Sequence, residues 1–174
     1  MKKIGRRTFL KKSLSLISLS LILNTINFSI AHSHSNLPTA NMIIIWKAKR
    51  RMSLFHNQNL IKTYKIRLGF NPIGHKQKEG DGRTPEGRYF ITHHNPNSAY
   101  HKSLGLSYPN SIDRANALKR NESPGSNIFI HGGPKNVITH FFKDWTGGCI
   151  AVFDNEIDEI YGLVPDGTVV YIYS

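Results

Sequence analysis

Short apolar runs, several of them alternating with polar residues, recur along the chain from residue 42 to its end. In the runs MIIIWK and TVVYIY, β-branched and aromatic residues predominate, and such residues favour extended strands. Glycine, proline and asparagine separate most of the runs, as expected for turns between strands. The pattern predicts strands at 42–47, 51–55, 60–68, 88–92, 126–130, 149–152 and 168–173.

One segment near the end of the chain has the helical period instead. Within 154–164, Ile157, Ile160 and Val164 fall on one face, and Pro165 ends the segment. Many strands with few short helices predict a mainly β domain, either a sandwich or barrel-like. The other predicted elements are a short helix at 112–119, loops at 70–86 and 95–110, and a helical turn at 136–142.

The first 41 residues differ in composition from the rest. Residues 2–12 hold six lysines and arginines, residues 14–23 are apolar, and Ser29 and Ala31 are small residues at the two positions that define a cleavage site. This order is typical of an export signal. It predicts a signal peptide at 1–31, a linker at 32–41 and one folded domain at 42–174.

The formal net charge of +12 comes in large part from this leader. The pair Arg6 and Arg7 is typical of a twin-arginine signal, with the general secretory route or an uncleaved anchor as the alternatives. The remaining basic excess does not indicate a nucleic-acid partner, and it suits an anionic envelope polymer. We expect the protein in the periplasm or cell envelope.

The chain contains a single cysteine, Cys149. Exported proteins normally use cysteines in pairs, so a lone thiol in an oxidising compartment is a liability unless it has a function. An inert, buried cysteine is the alternative, because cysteine is among the most buried residue types. The count alone leaves both interpretations open.

The segment 128–152 holds the candidate chemistry. A predicted strand ends at His131, and Gly147 and Gly148 directly precede Cys149. Glycines at this position allow a tight turn and leave main-chain N–H groups free to face an anion. A thiol beside such donors, with an imidazole in reach, is the pattern of a nucleophile, its base and an oxyanion hole. A plain turn at the two glycines is the alternative.

These residues resemble the L,D-transpeptidase catalytic domain family, also called the YkuD domain. His131-Gly132 matches the opening of its motif, and Thr146, Gly148 and Cys149 match its close. The resemblance extends over the mature chain, as in a compact single-domain subgroup without added wall-binding modules. It implies an L,D-transpeptidase-like β fold and a cysteine acyltransferase that forms a thioester with peptidoglycan stem peptides in cell-wall remodelling.

The resemblance also implies roles for individual residues. Cys149 is then the nucleophile and His131 its base, and no cofactor or metal is expected. The backbone N–H groups of Gly147 and Gly148, together with that of Cys149, are the candidates for stabilising the oxyanion. The candidates for lining the substrate groove are His101, Tyr108, Gly132 and Thr146.

Two positions depart from the usual pattern of the family. Gly147 stands where many members have a second histidine, and Ala151 stands where many have arginine or asparagine. The departures bear on the donor and the acceptor more than on the nucleophile. The acceptor is a second stem, a lipoprotein lysine or water, so a hydrolase of the same stem or lipoprotein link is an alternative. A non-catalytic wall-binding module and a zinc site on Cys149 are further alternatives. The sequence has no CxxC or HxxxH spacing of the kind that zinc ligands show.

Overall fold

The structure is a computed structural model, and it describes residues 38–134, 136, 139 and 143–174. The predicted signal peptide, most of the linker and most of the predicted turn at 136–142 lie outside the described residues. No helix in the described part of the chain is long and apolar enough to cross a membrane. The elements in chain order are β1 (Met42–Trp46), β2 (Arg51–His56), β3 (Asn59–Lys65), β4 (Gly87–Ser98), β5 (His101–Leu106), α1 (Ser111–Lys119), β6 (Phe129–His131), β7 (Ile150–Ala151), α2 (Asp154–Leu163) and β8 (Val169–Tyr173).

The strands form one eight-stranded sheet in the order β3-β2-β1-β8-β4-β5-β6-β7. Beyond β3 the chain reaches Arg67, which exchanges two backbone hydrogen bonds of 2.9 Å with Ala151 of β7. Because β3 and β7 are the two ends of the strand order, this pairing joins the edges of the sheet. The mainly β, barrel-like fold class is therefore confirmed.

The core lies on the face of the sheet that carries the alternating apolar residues. On β1, Ile43 and Ile45 are fully buried. Helix α2 buries Ile157 and Ile160 and packs against β5 and β6. Burying a side chain of this size stabilises a fold by about 1.5–3 kcal/mol. The packing fixes the position of β6, whose last residue is His131.

The predicted strands and both helices are confirmed to within a few residues, with one exception. The predicted irregular segment at 95–110 is wrong, because β4 continues to Ser98 and β5 follows it. The outer half of β4 is largely exposed and therefore polar, and its pairing with β5 is interrupted by bulges. Pairing in the sheet overrides the turn-forming tendency of Asn95 and Pro96.

Candidate active site

Strands β6 and β7 bring Cys149 and His131 to the same face of the sheet. The two strands are parallel, with Ile130 opposite Ile150 and His131 opposite Ala151. Side chains alternate along a strand, so Cys149 shares its face with Ala151 and therefore with His131. Both side chains line one cavity of about 310 Å³.

The thiol of Cys149 has two polar neighbours. Its sulfur accepts the backbone N–H of Phe129 at 3.4 Å and lies 3.5 Å from the carbonyl oxygen of Asn127, to which the S–H donates. Burial raises the pKa of the Cys149 thiol, and the Phe129 N–H and the charge of Lys76 oppose this in part. The resting form at neutral pH is therefore the neutral thiol.

The imidazole of His131 is buried and fixed in one tautomer. Its Nδ1 lies 2.6 Å from the carbonyl oxygen of Gly132, which can only accept, so Nδ1 carries the proton and Nε2 is the free base. Burial lowers the pKa of His131, and the bond to Gly132 opposes this in part. The ring of Tyr100 stacks on the imidazole with centroids 4.6 Å apart, and Trp145 meets it edge-on at 5.7 Å.

Gly132 allows this arrangement because it has no side chain. A Cβ atom there would lie 2.5 Å from Oδ1 of Asp154 and 3.0 Å from the carbonyl oxygen of Tyr100. The same Asp154 oxygen accepts the N–H of Gly133 at 2.7 Å. The backbone after His131 is thus held closely between α2 and the start of β5.

The turn before Cys149 is closed by the hydroxyl of Thr146. The hydroxyl donates to the carbonyl oxygen of Cys149 at 2.7 Å and accepts the N–H of Gly148 at 3.1 Å. Gly148 has a φ of 136°, and a Cβ atom there would lie 2.6 Å from the carbonyl oxygen of Arg83. Only glycine fits this position without movement of the backbone.

The amides of the turn differ in their availability. The N–H of Gly148 is engaged by Thr146. Among the described residues, the N–H groups of Gly147 and Cys149 have no hydrogen-bond partner. Of the three predicted donors, the N–H groups of Gly147 and Cys149 are therefore available to an oxyanion, and that of Gly148 is not.

An ion pair anchors the segment that leads into the turn. The guanidinium of Arg50 binds Asp144 with Nη2 to Oδ2 at 2.7 Å and Nε to Oδ1 at 3.0 Å. Asp144 also accepts the N–H of Leu68 at 3.0 Å. The backbone of Thr146 then bonds to Leu68 and Phe70 on the neighbouring segment. These contacts hold the Thr146 turn against the wall of the barrel.

Two cavities meet at Cys149. One, described above, is lined by His131, Tyr100 and Phe129. The other, of about 250 Å³, is lined by Lys76, Glu79, Gly147 and the segment 125–128. Asn127 and Cys149 line both. A substrate lying across the sulfur can therefore place one part in each cavity.

The sequence profile of the YkuD L,D-transpeptidase catalytic domain matches residues 40–172. The chain belongs to this family. YafK of Escherichia coli (strain K12), an L,D-transpeptidase by name, is 30% identical over 133 residues, which are 73% of this chain and 48% of YafK. The chain therefore spans about half the length of the curated relatives it matches.

Solved structures share the fold of this L,D-transpeptidase-family domain. The helical cell shape determining protein Pgp2 of Campylobacter jejuni matches with a TM-score of 0.59 and 23% identity, over 78% of this chain and 48% of Pgp2. Bd1075 of Bdellovibrio bacteriovorus matches with a TM-score of 0.57 and 24% identity, over 78% of this chain and 48% of Bd1075. An L,D-transpeptidase from Mycobacterium smegmatis matches with a TM-score of 0.53 and 11% identity, over 78% of this chain and 59% of that protein. At these identities the likeness concerns the fold alone.

Two predicted groove residues of the L,D-transpeptidase-family domain lie away from both cavities. The Nε2 of His101 lies 2.9 Å from Oδ1 of Asp158 on α2. Tyr108 is 5% exposed in the core, and its hydroxyl donates to the carbonyl oxygen of Pro124 at 2.7 Å. Gly132 and Thr146 lie beside His131 and Cys149, where they hold these residues rather than line either cavity.

Three residues of the site were not predicted. Tyr100 covers the imidazole, Asn127 contacts the thiol through its carbonyl, and Lys76 lines the second cavity. The first two depend on loops whose course the sequence does not reveal. For Lys76 the sequence did contain one indication, because Asp81 stands between two glycines. That pattern is typical of a tight loop around an acidic side chain, which a nearby lysine can contact.

Proposed function

We propose that this domain is a cysteine acyltransferase that transfers the acyl group of peptidoglycan stem peptides. The substrate class comes from its family, whose name describes L,D-transpeptidation. The observation that carries the proposal is that Cys149 lines one cavity together with His131, whose tautomer is fixed, while the N–H groups of Cys149 and of Gly147, which lines the adjoining cavity, have no hydrogen-bond partner among the described residues.

The first half-reaction follows from these groups. The Sγ of Cys149 attacks the carbonyl carbon of the diaminopimelyl–D-alanine bond of a tetrapeptide stem, and its proton passes to Nε2 of His131. The oxyanion of the tetrahedral intermediate accepts the N–H groups of Gly147 and Cys149. The carbon–nitrogen bond breaks, the D-alanine amine takes the proton from His131, and a thioester remains on Cys149.

The second half-reaction regenerates the thiol. The amine of a second stem, or water, attacks the thioester carbonyl and gives its proton to His131. The carbon–sulfur bond breaks, and the thiolate takes that proton. The same residues serve transfer and hydrolysis, so the ratio of cross-linked dimer to tripeptide measures which acceptor is used.

The test uses the purified protein with a disaccharide-tetrapeptide carrying diaminopimelate. We expect release of D-alanine, a mass increase of the protein by one disaccharide-tripeptide acyl group on Cys149, and either cross-linked dimer or free disaccharide-tripeptide. Cys149→Ala removes the sulfur and should abolish all three. The matched control is Lys62→Met, because Lys62 is exposed and pairs with Glu159 on α2. This variant should release D-alanine and form the adduct and products as the unsubstituted protein does. Turnover by Cys149→Ala would refute the proposed nucleophile.

We further propose that the protein works outside the cytoplasmic membrane. The support is the order of basic, apolar and small residues before position 32. N-terminal sequencing of the protein from cell envelopes should give a start near His32. Recovery of the intact N-terminus from the cytosol would contradict this.

A further inference from the structure

The outward side of β1 and β8 is apolar. On both strands, buried residues alternate with half-buried or exposed ones. The buried set belongs to the core, so the other set faces outward. A solvent-facing side of a sheet is normally polar, and an exposed apolar patch marks an interaction surface. The outward residues on the two strands are Met42, Ile44, Trp46, Val169, Tyr171 and Tyr173.

Three aromatic residues lie together on this face. Trp46 is opposite Tyr173 in the parallel register of β1 and β8. The rings of Tyr171 and Tyr173 have centroids 6.4 Å apart, and their planes are within 9° of parallel. Tyr173 is 50% exposed, so its ring is available to a ligand. We call Trp46, Tyr171 and Tyr173 the aromatic platform.

Cations flank the aromatic platform on both sides. Arg51 on β2 is opposite Trp46, and Lys65 on β3 is opposite Arg51. On the other side, Arg88 of β4 is opposite Tyr171. All three cations are exposed, and none of them forms an ion pair with a described residue.

The five strands that form this face, β3, β2, β1, β8 and β4, contain no aspartate or glutamate. Two acids from the adjoining loops are already paired, Glu86 with Lys47 and Asp144 with Arg50. The face therefore carries positive charge that is complementary to an anionic partner. A second copy of this chain does not fit, because a twofold interface would bring the same cations together.

The outward face of the sheet continues from the platform to the active site. Beyond β8 the strand order is β4, β5 and β6, and His131 on β6 is opposite Ser103 on β5. Ile130 belongs to the core, so His131 faces outward as the platform does. Strands β8 and β6 are three strand spacings apart, about 14 Å along the sheet. A polymer that follows this face can contact the platform and the active site together.

We propose that this face is a second binding site, which takes the glycan strand of peptidoglycan. The N-acetyl sugar rings stack on the aromatic platform, because the C–H bonds of a pyranose are attracted to the negative face of an aromatic ring. Carboxylates attached to the strand pair with Arg51, Lys65 and Arg88. Only the choice of this polymer rests on the proposed function. Single-stranded nucleic acid also uses stacking rings and cations, but it gives no reason for the continuity with the active site.

The experiment measures binding of glycan strands to the full chain carrying Cys149→Ala, which prevents turnover. An amidase first removes the stem peptides, so the strands keep their sugar rings, gain a free lactyl carboxylate on each muramic acid and lack the peptide that Cys149 attacks. We expect saturable binding in calorimetry. Tyr173→Ala should weaken it by about 5- to 30-fold, as truncation of an aromatic anchor does. Tyr173→Phe keeps the ring and should bind like the parent.

The contribution of the cations has its own matched control. Replacing Arg51 and Lys65 with glutamine should weaken binding by about 2- to 30-fold, the range for two exposed charge pairs. Replacing Arg114 and Lys119 of α1 with glutamine removes the same charge from two exposed residues of another surface and should not change the affinity. Chitohexaose has the N-acetyl sugar rings without carboxylates. It should bind more weakly than the stripped strands, and the Arg51 and Lys65 substitutions should not affect it.

Three results would overturn the assignment. The first is no binding of the stripped strands, and the second is an equal loss of affinity with the substitutions on the face and on α1. The third is tighter binding of a single-stranded oligonucleotide or of phosphatidylglycerol vesicles that is lost with Tyr173→Ala, which would assign the face to another class of partner. D-alanine release by the unsubstituted protein is scored separately. Release without strand binding would refute the binding face and retain the reaction, and strand binding without release would refute the reaction and retain the face.

Discussion

Replacing Thr146 with valine removes one hydroxyl from the turn that presents Cys149 and preserves the shape of the side chain. Thr146 is 4% exposed, and its hydroxyl bonds to the carbonyl of Cys149 and the N–H of Gly148. Both groups lose a partner, and a buried polar group left unsatisfied costs about 1–3 kcal/mol. We expect the free energy of unfolding to fall by about 2–6 kcal/mol.

The effect on the reaction should be larger than a loss of stability explains. The hydroxyl fixes the orientation of the amides of Gly147 and Cys149 relative to the sulfur. A displacement of about 1 Å in a reacting group can cost about 100-fold in rate. We expect the rate of thioester formation to fall by about 10- to 100-fold. Mass spectrometry of the acylated protein at early times measures this rate, at a temperature where circular dichroism shows the variant folded.

Thr168→Val is the matched control. Thr168 is also 4% exposed, and its hydroxyl contacts the carbonyl oxygens of Pro165 at 2.7 Å and Ala40 at 3.2 Å, before β8 and away from the Thr146 turn. The control should lose a comparable amount of stability and keep its acylation rate. If Thr146→Val acylates as fast as the unsubstituted protein, or if both variants slow equally, the turn does not position the nucleophile.

Three further predictions follow from the site. Burial lowers the pKa of His131 and raises that of Cys149. We therefore expect kcat/KM for D-alanine release to stay level from about pH 6.5 to about pH 8 and to fall only at lower pH, where His131 becomes protonated. A fall in kcat/KM centred near pH 7 would contradict this prediction. Tyr100→Ala uncovers the imidazole, so NMR titration should show the pKa of His131 rising towards its ordinary value, whereas Tyr100→Phe should keep it low. Arg50→Lys loses the two-pronged contact with Asp144, so we expect calorimetry to show a Tm lower by several degrees, since each kcal/mol of lost stability lowers Tm by about 2–4 °C. An unchanged Tm would show that the ion pair does not stabilise the fold.

The strands that could be predicted are those whose side chains carry the core. β1 and β8 are rich in β-branched and aromatic residues, so local preference and tertiary pairing agree. β5 could not be predicted, because Ser103 and Gly105 give it no strand pattern, and it is a strand through its pairing with β4 on one side and β6 on the other. The closure of the sheet through Arg67 and Ala151 was equally hidden, since it depends on residues far apart in sequence.

The site was predictable where the sequence itself carries chemistry. Cys149 and His131 share a cavity, as their spacing within the motif led us to expect. Tyr108 was predicted to line the groove, but its ring packs on Tyr89 in the core with centroids 6.0 Å apart. Lys76 escaped notice because lysine usually indicates exposed surface, and only the fold of its loop around Asp81 buries it.

The two departures from the family pattern have different physical settings. Gly147 is exposed, and a Cβ atom there would meet nothing within 4 Å, so the place of the second histidine is open. Ala151 is fully buried and lies opposite His131 in the strand register. A longer side chain at 151 would compete with the imidazole for the same buried space, since neighbouring strands are about 4.8 Å apart. The small residue at 151 is therefore coupled to the buried position of His131. The glycine at 147 is not constrained in this way, and it lines the same cavity as Lys76.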